Sequence, residues 1–62
     1  MTDEYKRFVR QLKAATAGMT FEQIADALNV GQTTVRGYYR FDNVMSGETM
    51  LKAIRLMGGY KC

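Results

Sequence analysis

TFEQIADALNVGQTTVRGYYR, residues 20–40, is the stretch that decides how the chain folds. Apolar Ile24, Ala25 and Leu28 recur at helical spacing, Asn29-Val30-Gly31 interrupts them, and Val35, Tyr38 and Tyr39 resume the pattern. Thr20 is placed to cap the first helix, with Gln23 three residues on to complete a capping box. The interruption is too short for a long loop, so the two helices must cross steeply. The spacing predicts a helix-turn-helix.

The charges of the two halves differ. The first carries Glu22 and Asp26 and no base; the second carries Arg36 and Arg40 and no acid. With Val35 and Tyr38 turned inward, three-and-four spacing gathers Thr33, Arg36, Gly37 and Arg40 on the opposite face, with Gln32 beside Thr33 at its N-terminal end. Those types suit base edges in a DNA major groove. Gln32 can pair an adenine through two contacts, Arg36 and Arg40 can fork onto guanine or hold a phosphate, and Thr33 and Thr34 offer a hydroxyl and a methyl. The plainer alternative is a solvated polar face. A mid-helix glycine costs ~1 kcal/mol against alanine, so Gly37 requires a reason: close approach to DNA, or close packing against another helix. Tyr38 and Tyr39 point about 100° apart. Tyr38 is expected in the core, and Tyr39 either at the core edge or touching phosphate through its hydroxyl.

On these residues the stretch resembles the helix-turn-helix of the phage Cro and repressor family. Ala25 stands where that family needs a small residue between the helices. Val30 follows the turn residue and fills the gap, and Val35 and Tyr38 hold the inward positions of the second helix. Two residues depart from the pattern. Asn29 replaces the usual turn glycine, and Asn tolerates the left-handed conformation better than most. Phe21 stands where Gln or Thr often opens the first helix of the motif. The resemblance implies an all-α, lambda-repressor-like domain of four to five helices. It implies a sequence-specific regulator of transcription, a Cro-like repressor that reads a palindromic operator in double-stranded DNA. Base contacts would come from Gln32, Thr33, Arg36, Gly37 and Arg40. Phosphate contacts would come from the amide end of the helix at Thr20 and Phe21, and from Thr34, Tyr39, Asn43 and Lys13. A bacterial cell or phage-infected host, with the protein on the nucleoid, is the setting so implied.

Around this stretch the chain reads as follows. Residues 2–17 form a helix capped by Thr2, with Asp3 and Glu4 in the first turn, where the helix dipole favours acids. Tyr5, Phe8, Val9, Leu12 and Ala15 or Thr16 make its apolar stripe, and Lys6, Arg7, Arg10 and Lys13 lie off it. A solvated basic face is the ordinary reading of those four; Lys13, near the helix end, is the one best placed for phosphate. Helices follow at 20–29, from 31 or 32 to 40, and at 47–57. The connection 41–46 is expected to fold Phe41, Val44 and Met45 inward. Asn43 within it is either turn chemistry or a backbone contact to DNA. Ser46 looks like the last cap, Met45 and Met50 a hydrophobic staple, and Met50, Leu51, Ile54 and Met57 a core face. Met45, Leu56 and Tyr60 exceed what so small a core readily hides, and with Met57 they are the expected homodimer contact.

Composition narrows the function classes. The chain has 62 residues and a net charge of +3. That is one domain at most, with a surplus of positive charge that suits a polyanion. It has no histidine and one cysteine, Cys62. No internal disulfide, zinc site, or nucleophile with a base beside it is therefore expected. No apolar run approaches ~20 residues and no signal-peptide pattern opens the chain, so a cytoplasmic location is expected. Catalysis, a cofactor, a metal, a membrane and a small-molecule ligand are all unexpected. The competing reading is a protein-binding module of the same motif: an antirepressor, antitoxin or phage inhibitor.

Overall fold

A computed structural model describes residues 2–59 and folds them into four α-helices, with no strand among the described residues. They are α1 (Asp3–Ala15), α2 (Phe21–Leu28), α3 (Gln32–Tyr39) and α4 (Gly47–Leu56). The all-α expectation is met. The expected four to five helices resolve to four, each one to three residues shorter than its apolar pattern suggested, because caps and turns take the end residues.

The starts are set by side-chain caps. Thr2 Oγ1 accepts the Tyr5 amide at 3.1 Å, and Ser46 Oγ accepts that of Thr49 at 3.4 Å. At α2 both halves of the capping box form: Gln23 N–H donates to Thr20 Oγ1 at 3.1 Å and Thr20 N–H to Gln23 Oε1 at 3.0 Å. Acids in the first turn and Lys13 in the last turn of α1 match the helix dipole.

α2, α3 and α4 end alike. A residue in the left-handed conformation turns the chain back, and its own amide and the next one cap the last carbonyls. At α2 this residue is Asn29 (φ 57°), with Val30 N–H on Ala25 O at 3.0 Å. At α4 it is Gly58 (φ 78°), with Gly59 N–H on Ile54 O at 2.9 Å. At α3 it is Phe41 (φ 63°), with Asp42 N–H on Gly37 O at 2.9 Å. A bulky residue in that conformation costs roughly 1–2 kcal/mol.

α2 packs on α3 and α4, and α1 closes over α3 and α4. The core between them holds Tyr5, Phe8, Val9 and Leu12 of α1, Ile24, Ala25 and Leu28 of α2, Val35 and Tyr38 of α3, Met45, and Ala53 of α4. The last position of the α1 stripe is Thr16 rather than Ala15. It is buried, and its hydroxyl donates to Leu12 O at 2.7 Å.

Three expectations about apolar residues are corrected. Met45 is 4% exposed and belongs to the core, so it is not a surplus residue for a dimer contact. Its amide donates to the Tyr5 hydroxyl at 3.2 Å, which draws it under α1. Val44, expected inward, is 62% exposed because its neighbour took the inward place. Leu51, expected on the core face of α4, is 61% exposed; that helix buries Thr49 and Ala53 and rests Met50, Ile54, Leu56 and Met57 against the core. Of the other dimer candidates, Leu56 and Met57 are half-buried, and Tyr60 lies outside the described residues. No helix among them is long and apolar enough to cross a membrane.

Candidate functional site

The surface of α3 is the one to build from. Gln32, Thr33 and Arg36 are exposed on it, Arg40 is exposed at its C-cap, and Thr34 is half-buried. Its register follows from Val35 and Tyr38, which sit in the core at 0% and 6% exposure and turn the polar residues outward. The approach to it is fixed by residues 29–31, where Asn29 reverses the chain and half-buried Val30 packs against the core.

Gly37 is not on that surface. It is buried, and a Cβ built on it would run into the amide of the Asn43 side chain. Its carbonyl accepts from the amides of Asp42 and, at 3.4 Å, Asn43. Gly37 is therefore required by the connection folding back along α3, and its expected place on the base-contacting face is corrected. Packing was the right alternative, though against a loop and not a helix. Asn43 is exposed beside it, and its backbone carbonyl accepts from the Tyr5 hydroxyl at 3.3 Å. Arg40 lies 3.9 Å from the Asp42 carboxylate, both strongly exposed, a pairing worth little in water.

The other residues singled out meet where α1 ends and α2 begins. Lys13, Thr20, Phe21 and Tyr39 line one open cleft with Thr16 and Met19. Tyr39 is half-buried, and its hydroxyl lies 2.8 Å from Thr16 Oγ1. Burial pushes its phenol above the ordinary value of 10.0, and the Thr16 hydrogen bond opposes that rise. Tyr39 thus sits at the core edge with its hydroxyl engaged inside the fold. Thr20 is likewise engaged, its hydroxyl and amide both given to Gln23. The outward amides at this end of α2 are those of Phe21 and Glu22, in the first turn where intrahelical acceptors are lacking.

What the one-dimensional pattern did not reveal is how rings and cations meet here. The Arg36 guanidinium lies over the Phe21 ring at 5.3 Å. Phe21 and Tyr39 are in tilted contact at 6.0 Å, 57° between planes. The Lys13 ammonium stands 6.0 Å from the Tyr39 ring and 5.8 Å from that of Phe41. The contacts bring α1, α2 and α3 together at one corner. The only hint in the sequence was an aromatic residue at the first position of α2.

Among the described residues, no group of three His, Cys, Asp or Glu is arranged to hold a metal ion. Comparison with models of known families, with characterised proteins and with solved structures finds no match to this chain.

Proposed function

We propose that the chain is a sequence-specific binder of double-stranded DNA, with α2 and α3 as a helix-turn-helix of lambda-repressor type and α3 as the helix that enters the major groove. The observation that carries this reading is the exposed row Gln32, Thr33 and Arg36, continued by Arg40 at the C-cap, on a helix that bears no acid and is held out by a three-residue reversal from its acidic neighbour. Glu22 and Asp26 are exposed on α2 and would be repelled by a groove, which leaves α3 as the reader. Lys13 and the Phe21 and Glu22 amides at the start of α2 are suited to phosphates flanking the groove.

One such helix reads only a few base pairs. Two related by a twofold axis read half-sites about one DNA turn, ~34 Å, apart. Exposed Val44 and Leu51 supply apolar surface for a homodimer, in place of buried Met45. A repressor that acts by occupying an operator needs no further parts. The same two apolar residues favour, as a second reading, a protein partner in place of DNA.

Selection from random duplex DNA at two salt concentrations tests the proposal. A palindrome, bound with affinity that falls steeply in salt, supports it. If no sequence is enriched, the protein-binding reading takes its place.

A further inference from the structure

We infer that Phe21 is a positioning residue for Arg36, fixing the guanidinium from which α3 reads one base. The inference rests on the duplex-binding reading above and adds a residue from α2 to its specificity. Phe21 opens α2 and is 37% exposed, so the core does not account for it. Its ring lies under the Arg36 guanidinium at 5.3 Å and is braced on its other contact by Tyr39, at 6.0 Å. Tyr39 is itself fixed, its hydroxyl 2.8 Å from that of buried Thr16. A line of contacts thus runs from Thr16, the buried C-cap of α1, to a side chain at the surface of α3.

The chemistry suits the task. An acid in place of Phe21 would hold Arg36 by occupying its N–H donors and cancelling its charge. An aromatic face attracts the cation and leaves all five donors for a base edge. Arginine has many rotamers to lose on binding, and a ring that has already narrowed them lowers that loss for the correct base. Phe21 touches no base itself.

The test uses the whole protein and the duplex it selects. The readout is the ratio of dissociation constants for the preferred base and its replacement, at the base pair whose preference Arg36→Ala relaxes. Phe21→Leu keeps an apolar residue at the start of α2 and removes the ring. It is expected to lower that ratio about 2- to 5-fold, the size of an exposed cation–ring interaction. Phe21→Tyr is expected to retain the ratio, and Phe21→Leu to add nothing in an Arg36→Ala background. An unchanged ratio in Phe21→Leu, or an equal loss of affinity for every sequence, would overturn the inference. A protein that selects no site at all defeats the duplex-binding reading itself, an outcome distinct from either.

Discussion

The Tyr5 hydroxyl takes the Met45 amide at 3.2 Å and gives its own proton to the Asn43 carbonyl at 3.3 Å, so one phenol near the start of the chain holds the connection that leads out of α3. Met45 is buried, and its N–H has no water to turn to. Tyr5→Phe leaves that donor unsatisfied at almost unchanged volume. The expected cost is ~1–3 kcal/mol. It should appear in urea unfolding as a lower midpoint with an unchanged slope. A variant as stable as the parent would mean that the hydrogen bond contributes nothing net.

The two perturbed phenols give the fold an alkaline limit. Burial raises Tyr39 above 10.0, against the Thr16 hydrogen bond. Burial raises Tyr5 as well, against the Met45 amide, with Tyr38 adding to the rise. The folded chain therefore holds these protons more tightly than the unfolded chain does. Their contribution is whole below about 10 and is lost as pH rises through the raised values. Urea midpoints measured at about pH 9 and about pH 11 should fall for the parent, and fall less for Tyr39→Phe. An equal fall in both would remove Tyr39 from the explanation.

Gly37 and Asn43 form a pair whose members explain each other. Alanine at Gly37 would gain ~1 kcal/mol of helix propensity, but its Cβ needs the space of the Asn43 side-chain amide. Gly37→Ala alone must displace that amide, and much of the gain is spent. In an Asn43→Ala background the obstruction is gone, and Gly37→Ala should stabilise by ~1 kcal/mol. Additive effects in the double-mutant cycle would show that the two side chains do not compete for that space.

These three pairs also mark what could be read in the sequence. The caps at Thr2, Thr20 and Ser46 and the stripe Tyr5, Phe8, Val9, Leu12 are local, set by neighbours three or four residues away, and each is formed. Gly37 was placed outward by that same periodicity, which cannot register a later loop folding back along the helix edge. In the irregular stretch 41–46 no period chooses between Val44 and Met45; Tyr5, forty residues from Met45, does. Phe41 in a glycine's conformation left no local trace. The meeting of Phe21 with Arg36 depends on how α2 crosses α3. The outward residues of α3 were legible because Val35 and Tyr38 fix its register.

Leu51 separates self-association from folding. It is 61% exposed, so Leu51→Lys should change monomer stability by no more than ~0.5 kcal/mol. If two copies meet through this face, the variant should sediment as a monomer at concentrations where the parent is a dimer. It should also lose affinity for a full palindrome while keeping that for a half-site. A variant that dimerises like the parent would move the contact off α4.

Arg36 and Lys13 should fail in different ways. Arg36→Ala removes a fork that can take both acceptors of a guanine, and the expected cost is ~1–3 kcal/mol on the selected site with relaxed preference at one base pair. Lys13→Ala removes a point charge that stands within 6.0 Å of the Tyr39 and Phe41 rings. It should weaken all duplexes alike and reduce the salt dependence by about one phosphate's share. Anisotropy titrations of both variants against the selected duplex and its single-base replacements, at several salt concentrations, distinguish the two. An Arg36→Ala protein that lost affinity uniformly and kept its preference would make Arg36 a phosphate contact, and base reading would pass to Gln32 and Thr33 at the N-terminal end of α3.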